Sequence, residues 1–314
     1  MTETGNSAKN VLLAGASGVL GRHIAAALED AGHTVIGLGR SAGADVRADL
    51  MDREALLRAV ERLKADGVAV DTVVHAATAL REAPMKHKDM FATDDLRVIG
   101  TGHLMEAARE LGARRVIAES MVFGYGYRDF GDHVLTEDGD PFAPEGDKAV
   151  ERHLAGMRVK EKLMLEADGI EGIALRFGLF YGAGGTENIV GLLTKRKLPA
   201  VNDHGRVLPW VNLADAGAAV ALAVEGGRAG EAYNVVDDTP LGFGEHVRLV
   251  AETFGTPKPM TAPTWMMRPM SYAYRMVTAN MRVSNAKAKA ELGWTPRYPG
   301  CADGLTALAA LAES

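Results

Sequence analysis

Three glycines at regular spacing follow a short apolar run near the start of the chain. Residues 10–14 are mostly apolar, Gly15, Gly18 and Gly21 come next, and an alanine-rich helical segment spans residues 23–31. Such a turn can bind a pyrophosphate, because glycine leaves room for it and the helix N-terminus offers free N–H groups. The spacing G-x-x-G-x-x-G differs from the commonest fingerprint, but the flanking strand and helix favour a dinucleotide-binding unit.

The residues after the second apolar run, 34–38, bear on the choice of nucleotide. An acidic residue about twenty residues beyond the glycines would bind the 2′-hydroxyl of NAD, whereas an arginine accommodates the 2′-phosphate of NADP. Gly39 and Arg40 stand there, so NADP(H) is favoured over NAD(H), unless Arg40 is only a solvated surface residue. Further on, Asp49 is a candidate acceptor for the adenine amino group, with Leu50 against the ring. Asp49 is equally well explained as the acid that begins the next helix.

The elements that position these residues alternate between apolar runs and helical patterns, which predicts an α/β fold with a doubly wound parallel sheet. Small residues at the end of one run, Ala76 and Ala77, leave room for a ligand at the sheet crevice. We expect a Rossmann-type domain over 8–180 and a smaller substrate-binding annex over 181–314, with a segment near 210–236 rejoining the first domain. The predicted strands are 10–14, 34–38, 45–50, 71–77, 114–120, 171–176 and 232–236, and the predicted helices are 23–31, 53–66, 94–111 and 148–168.

Composition narrows the class of protein further. The 314 residues carry a net charge of −6 with no basic stripe, which argues against a nucleic-acid partner. The one cysteine, Cys301, forms no internal disulfide, and no His/Cys cluster has the spacing of a metal site. No apolar run is long enough to span a membrane, and residues 1–8 lack the apolar core of a signal peptide. We therefore expect a cytoplasmic protein without metal, whose partners are a small-molecule substrate and, in a homodimer, a second copy of the chain.

Several segments together resemble the extended short-chain dehydrogenases/reductases, the NAD(P)-dependent epimerase/dehydratase family, over nearly the whole length. The matching segments are 15–21, 48–50, 74–77, 100–108, 175–182, 210–216, 284–287 and 292–296. The resemblance implies a Rossmann fold and a nicotinamide cofactor. The expected cofactor-binding residues are Gly15, Ser17, Gly18, Val19, Leu20, Gly21, Arg40, Asp49, Leu50, Ala76, Ala77, Lys162 and Phe177.

The resemblance also implies a catalytic Ser/Thr and a tyrosine four residues before a lysine. Lys162 aligns with that lysine, because Glu166 follows it as in the family, but Arg158 stands where the tyrosine belongs. Arginine stays protonated, so it cannot act as acid and base in turn. Ser120 looks like the family serine, although its offset from Phe123-Gly124 is one residue shorter than usual. A further departure is Arg97, which stands where many members have an asparagine.

Three functions remain open on these residues. In the first, the protein is a redox enzyme, and Tyr125 or Tyr127 supplies the missing hydroxyl near Lys162, which would lower the pKa of the phenol. In the second, the fold runs a non-redox cyclisation, elimination or isomerisation, with Arg158 and Lys162 as cationic stabilisers of an oxyanion. In the third, the protein is an NADP-binding sensor without catalysis. The alternative for both tyrosines is that their rings only pack the annex against the main domain.

The annex indicates a substrate that is larger and more apolar than a free sugar. Residues 260–281 are rich in methionine and aromatic side chains, and methionine can line an adaptable apolar pocket. The same composition also suits core packing or a subunit contact. The aromatic and methionine residues concerned are Trp265, Met266, Met267, Tyr272 and Tyr274.

Overall fold

A computed structural model describes residues 8–313 of the chain. The polar N-terminal segment predicted above lies, up to residue 7, outside the described residues. The strands are β1 (Asn10–Ala14), β2 (Thr34–Gly39), β3 (Val46–Arg47), β4 (Thr72–His75), β5 (Arg115–Met121), β6 (Asp129–Leu135), β7 (Glu171–Phe177), β8 (Leu179–Tyr181), β9 (Ala200–Val201), β10 (Trp210–Asn212), β11 (Glu231–Val235), β12 (Thr261–Ala262) and β13 (Asn280–Val283). The helices are α1 (Val19–Asp30), α2 (Arg53–Ala65), α3 (His87–Asp95), α4 (Thr101–Leu111), α5 (Lys148–Leu165), α6 (Glu187–Thr194), α7 (Leu213–Glu225), α8 (Phe243–Thr253), α9 (Ser271–Thr278) and α10 (Cys301–Glu313).

Seven strands form one parallel sheet in the order β11-β7-β5-β4-β1-β2-β3. The order reverses beside β1, which has β2 on one side and β4 on the other. A ligand crevice is expected at such a reversal, outside the carboxyl ends of the strands. The predicted α/β fold with a Rossmann-type parallel sheet is confirmed.

Alternating side chains of the strands fill two apolar layers. On β1, Leu12 and Ala14 face a core shared with α2 and α4, whereas Val11 and Leu13 face a core shared with α1 and α7. Both faces of the sheet are therefore covered, which explains why the strands are continuous apolar runs. This burial fixes the strand ends rigidly at the edge where the crevice opens.

The rest of the chain forms short parallel strand pairs, β8 with β10, β9 with β12 and β6 with β13. The segment after Ser120, predicted as a loop, contains a short 3-10 turn over 122–125 and then β6. A buried cluster that includes Tyr125, Tyr127 and Tyr272 packs β6, α5 and α9 together. The division at residue 180 into two domains stays a prediction.

One long helical segment runs over residues 87–111 and is widened in its middle. A π-turn, Leu96–Gly100, joins α3 to α4. The segment begins seven residues before the predicted start, because the Asp89 carboxylate accepts hydrogen bonds from the N–H groups of Met85 (3.0 Å) and Lys86 (2.8 Å). A single π-turn inside a helix often lies at a functional site.

None of the described helices is long and apolar enough to cross a membrane. Residues 8–313 also contain no group of three His, Cys, Asp or Glu side chains that could hold a metal ion.

Candidate active site

A cleft of about 700 Å³ opens at the carboxyl ends of β1, β2 and β4. All but two of the predicted cofactor-binding residues line it, and the exceptions are Lys162 and Phe177. The lining members of that set are Gly15, Ser17, Gly18, Val19, Leu20, Gly21, Arg40, Asp49, Leu50, Ala76 and Ala77.

The glycine turn forms one end of the cleft, which we call the phosphate end (residues 15–21). Gly15 has φ of +94°, and a Cβ there would lie 2.8 Å from the Ala76 carbonyl. A Cβ on Gly21 would lie 2.0 Å from the Gly15 oxygen, so both glycines are required for the close crossing of turn, helix and β4. Gly18 differs, because a Cβ there meets only the Gly15 oxygen, at 3.2 Å, and its side chain would extend into open space.

Helix α1 begins directly behind Gly18, and no side chain caps its first turn. The free N–H groups and the positive end of the helix dipole can therefore bind an anion. A bare helix start beside a glycine cradle fits the pyrophosphate of a nicotinamide dinucleotide.

Arg40 and Asp49 lie at the expected adenosine position of the cleft. Their side chains approach each other, with Arg40 Nη1 3.9 Å from Asp49 Oδ2. Asp49 Oδ1 accepts the backbone N–H of Met51 at 3.0 Å, and Leu50 is buried against the core. The Arg40 side chain is 60% exposed, so its guanidinium is free to turn towards a phosphate.

The opposite end of the cleft, which we call the substrate end, is lined by the side chains of Arg97, Glu119, Met121 and Tyr272. Glu119 pairs with Lys160, whose Nζ lies 2.9 Å from Glu119 Oε2 and 3.3 Å from the His75 oxygen. Burial alone would raise the pKa of Glu119, but the positive charges of Lys160 and Arg97 lower it below its ordinary value. Glu119 is therefore a carboxylate near neutral pH and can accept hydrogen bonds but not donate a proton.

The lysine that supports this end is Lys160, which corrects the assignment of Lys162. The Lys160 side chain is 1% exposed, whereas that of Lys162 is 72% exposed and lies 4.0 Å from Glu166 on the outer face of α5. Two residues along a helix correspond to about 200° of rotation, so the two lysines point to opposite sides. The residue four positions before Lys160 is Gly156.

Arg158 is also turned away from the cleft. Its guanidinium pairs with Glu151 on the same helix and donates to the Ala143 carbonyl at 3.2 Å. The pairing of Arg158 and Lys162 as oxyanion stabilisers is therefore wrong, since neither side chain reaches the cleft.

Ser120 points away from the cleft because successive side chains of a strand alternate. Its neighbours Glu119 and Met121 line the cleft, while Ser120 is buried on the other face of β5 and its Oγ has no hydrogen-bond partner among the described residues. The offset of Ser120 from Phe123-Gly124 is one residue too short because the residue at the usual offset is Glu119, which does face the cleft. The assignment of Ser120 as the catalytic serine is corrected accordingly.

Tyr125 does not reach the cleft either. Its hydroxyl donates to Asn234 Oδ1 and accepts from Arg176 Nη1, both at 2.9 Å, and its ring packs edge-on against Phe142. Burial raises the pKa of Tyr125 to about 12, although Arg176 opposes the shift. The expectation of a lowered pKa beside Lys162 is therefore wrong.

Tyr127 reaches the site only through a second tyrosine. Its ring stacks on Phe123, and its hydroxyl lies 3.0 Å from the Tyr272 hydroxyl. Burial first, and then Tyr272, raise the pKa of Tyr127 well above its ordinary value. Both predicted tyrosines thus pack β6, α5 and α9 together, and the phenol that lines the cleft is Tyr272.

Behind Arg97 lies a buried chain of polar side chains. His153 Nδ1 lies 2.6 Å from Asp94 Oδ2, and His153 Nε2 lies 2.9 Å from His87 Nδ1. Arg97 Nη1 lies 3.6 Å from Asp94 Oδ1, which is an ion pair but too long for a hydrogen bond. Burial first, and then His153, lower the pKa of His87 below its ordinary value.

Phe177, predicted to bind the cofactor, is fully buried in the core of the sheet. It lies at the end of β7 with its ring 5.5 Å from that of Phe180, which does line the cleft. The side chain that borders the ligand space on this segment is therefore Phe180.

The sequence-based assignments missed Glu119 and Lys160 as residues of the site, noted Arg97 only as a departure, and named Tyr272 only as one of several residues of an apolar annex. A signal for Lys160 exists in α5, because the apolar positions Val150, Leu154, Met157 and Met164 place residue 160 on the buried face. The methionine- and aromatic-rich segment 260–281 marks Tyr272 as a candidate for an apolar pocket, but no pattern places it beside Arg97.

Solved structures of nicotinamide-dependent enzymes share this fold. The human epimerase family protein SDR39U1, solved with NADPH, matches with a TM-score of 0.77 at 17% identity, covering 96% of this chain and 99% of that one. The UDP-glucose 4-epimerase of Thermus thermophilus, solved with NAD, matches with a TM-score of 0.72 at 23% identity, covering 96% and 98%. At these identities the neighbours show a shared fold.

The model of the NAD dependent epimerase/dehydratase family matches residues 11–236, and the chain belongs to this family. The predicted family membership is confirmed. A curated relative from a Streptomyces species, "3-diazoavenalumate denitrifying reductase", is 35% identical. The alignment covers 94% of this chain and 98% of the relative. Family and relative together support an enzyme of the oxidoreductase and epimerase type.

Proposed function

We propose that the protein is an NADPH-dependent reductase of a small, partly apolar diazo compound, which loses its two nitrogen atoms as N2. The observation that carries the proposal is Gly156. It stands four residues before the buried Lys160, so the phenol that protonates an alkoxide in the family is missing from its place.

Reduction of a diazo carbon needs no proton donor at the reacting atom. When the group is a diazonium, or a conjugated diazo-oxide drawn in that form, hydride brings an electron pair to the carbon and the C–N pair leaves with N2, so that R–N2⁺ and hydride give R–H and N2. No alkoxide forms in this step. A reductase for such a substrate can therefore dispense with the family tyrosine, whereas a ketone reductase needs a proton donor in its place.

The chain's own residues supply binding and orientation. Bound NADPH would supply the hydride. The phosphate end would hold the pyrophosphate, and Arg40 would hold the 2′-phosphate. At the substrate end, the Glu119–Lys160 pair forms a fixed polar wall, and Met121 and Tyr272 offer apolar surface to the substrate.

The relative's name supports both the reaction type and the substrate class. It describes a reductase that acts on a diazo-substituted anion and is denitrifying. At 35% identity over nearly the full length, we extend the diazo class, though not the particular compound, to this chain.

A ketone reductase is the second candidate function, and Tyr272 is the observation that favours it. Its hydroxyl lies 3.0 Å from that of Tyr127, and when Tyr127 donates, the Tyr272 proton is left for a ligand in the cleft. Burial raises the pKa of Tyr272, so it would remain a phenol and act as a donor. Tyr272→Phe separates the two functions, because it should abolish ketone reduction and leave hydride replacement of N2 largely intact.

The test uses a quinone diazide as substrate and NADPH deuterated at the transferred position. We expect loss of nicotinamide absorbance and release of N2 in equal amounts, with deuterium on the carbon that carried the diazo group. Gly18→Val, which blocks the phosphate end, is the control for uncatalysed reduction. NADPH consumption without N2 release, or N2 release without deuterium at that carbon, would contradict the proposal.

A further inference from the structure

Arg97 is a buried cation that lines the cleft. The residue is 8% exposed, and its Nη1 is inaccessible to solvent and has no hydrogen-bond partner among the described residues. A guanidinium carries five N–H donors, and leaving them unsatisfied in the interior is costly. Because Arg97 lines the cleft, a ligand bound there lies within reach as a further partner.

Arg97 shares its nearest acid with other side chains. Its nearest acid is Asp94 at 3.6 Å, but Asp94 also lies 2.6 Å from His153 and 3.7 Å from Arg152. The other acid of the substrate end, Glu119, forms an ion pair with Lys160. Asp94 is thus shared between Arg97 and Arg152, and although Arg152 also pairs with Asp95 at 2.7 Å, Arg97 has no acid among the described residues within hydrogen-bond distance.

The backbone at Arg97 is a second, independent sign of function. Arg97 is the second residue of the π-turn between α3 and α4. A π-turn is rare and is frequently found at functional sites. This turn presents Arg97 beside Tyr272 at the substrate end.

We propose that Arg97 binds an anionic oxygen of the substrate, either a carboxylate or a phenolate. This proposal rests on the proposed function for the identity of the reacting group, but the anion site itself needs only the geometry given above. A guanidinium is suited to it because it can form two parallel hydrogen bonds to a carboxylate.

For a diazo compound with a conjugated ring oxygen, the same contact would assist the reaction. Hydride adds at the diazo carbon, N2 leaves, and the electron pair that re-forms the aromatic ring leaves a negative charge on the oxygen. The neutral diazo-oxide and hydride thus give a phenolate and N2. Arg97 would hold that oxygen while its charge develops.

The test measures binding without turnover, by calorimetry on the protein saturated with NADP⁺. The carboxylate arm compares cinnamate with methyl cinnamate, and the phenolate arm compares ionised p-nitrophenol with p-nitroanisole. We expect the anion to bind about 10- to 100-fold more tightly than its neutral counterpart in one arm, as for a charge-assisted hydrogen bond. That arm identifies the group that Arg97 binds.

Three variants assign the preference to Arg97. Arg97→Met should abolish the preference for the anion, and Arg97→Lys should keep part of it, because one point charge remains. Arg152→Gln is the matched control, since Arg152 also faces Asp94 but does not line the cleft, and it should leave the preference unchanged. Thermal unfolding verifies that each variant is folded.

A lack of anion preference in both arms of the unmodified protein would overturn the proposal, even if Arg97→Met fails to fold. A preference for the anion that survives in Arg97→Met would also overturn the proposal.

The anion site and the diazo reductase activity can fail independently of each other. An Arg97-dependent anion site without N2 release would refute only the diazo reductase, and N2 release without an anion site would refute only the role of Arg97.

Discussion

The phosphate end of the cleft is built from backbone, whereas the substrate end is built from side chains. At the phosphate end, Gly15 and Gly21 allow contacts that no other residue permits, and the groups offered to a ligand are the uncapped N–H groups of α1. At the substrate end, β5, α5, α9 and the π-turn each contribute side chains. The first end tolerates little variation, and the second can change its chemistry one residue at a time.

The substrate end shows how far such change has gone. A carboxylate, Glu119, stands at the usual offset for the catalytic serine, Gly156 stands four residues before the buried lysine, and Arg97 stands where many members have an asparagine. Because the glycine turn is intact, the nucleotide site and the reaction can be tested separately.

The largest expected effect is the loss of cofactor binding when the phosphate end is blocked. In Gly18→Val, the side chain would extend into the space of the pyrophosphate, so calorimetry should detect no NADPH binding. The variant should still fold, because only one atom, the Gly15 oxygen at 3.2 Å, lies near the new Cβ. Binding of NADPH by a folded Gly18→Val protein would show that the phosphates lie elsewhere.

The next effect concerns the polar wall of the substrate end. Lys160→Met leaves Glu119 buried without its cation and should lower the free energy of unfolding by about 3–5 kcal/mol. Lys162→Met is the matched control from the same helix. It removes an exposed lysine and should change stability by less than about 0.5 kcal/mol. Denaturant unfolding of both variants tests the corrected assignment, and equal effects would refute it.

A smaller effect is expected for the adenosine position. Arg40→Ala should weaken NADPH binding at least about tenfold and leave NADH binding nearly unchanged, because a charge-assisted hydrogen bond contributes roughly 1.5–3 kcal/mol. Titration of both cofactors measures the difference. Equal affinity of the unmodified protein for NADPH and NADH would refute the proposed preference for NADPH.

The smallest effect is a pH dependence. The pKa of Glu119 is lower in the folded protein than its ordinary value of 4.5, so the folded state binds fewer protons than the unfolded state in that range. The contribution of Glu119 to stability is therefore present above pH 4.5 and is lost as the pH falls below it. Glu119→Gln should flatten this part of the stability profile, and an unchanged acid limb would argue against an ionised Glu119.

The phosphate end could be predicted from sequence because its residues are consecutive and its function depends on glycine itself. The substrate end could not, because its assignments depend on the phase of an element. A shift of one residue along a strand, from Glu119 to Ser120, moves the assigned side chain to the opposite face of the sheet. A shift of two residues along a helix, from Lys160 to Lys162, likewise moves it to the opposite side of the helix. Tyr272 lies more than a hundred residues from Arg97, Glu119 and Lys160 along the chain, so only the tertiary fold brings it to them.

The π-turn makes the length of this helical segment a determinant of where Arg97 lies. It holds one residue more than an α-helix would need between α3 and α4. Deletion of the exposed Val98 would remove that surplus and leave a continuous α-helix. Arg97, which stands in the widened turn, would then take up α-helical geometry and its side chain would shift at the substrate end, although every site residue would still be present. Insertion or loss of a single codon in this helix is thus a route by which relatives with identical site residues could come to accept different substrates.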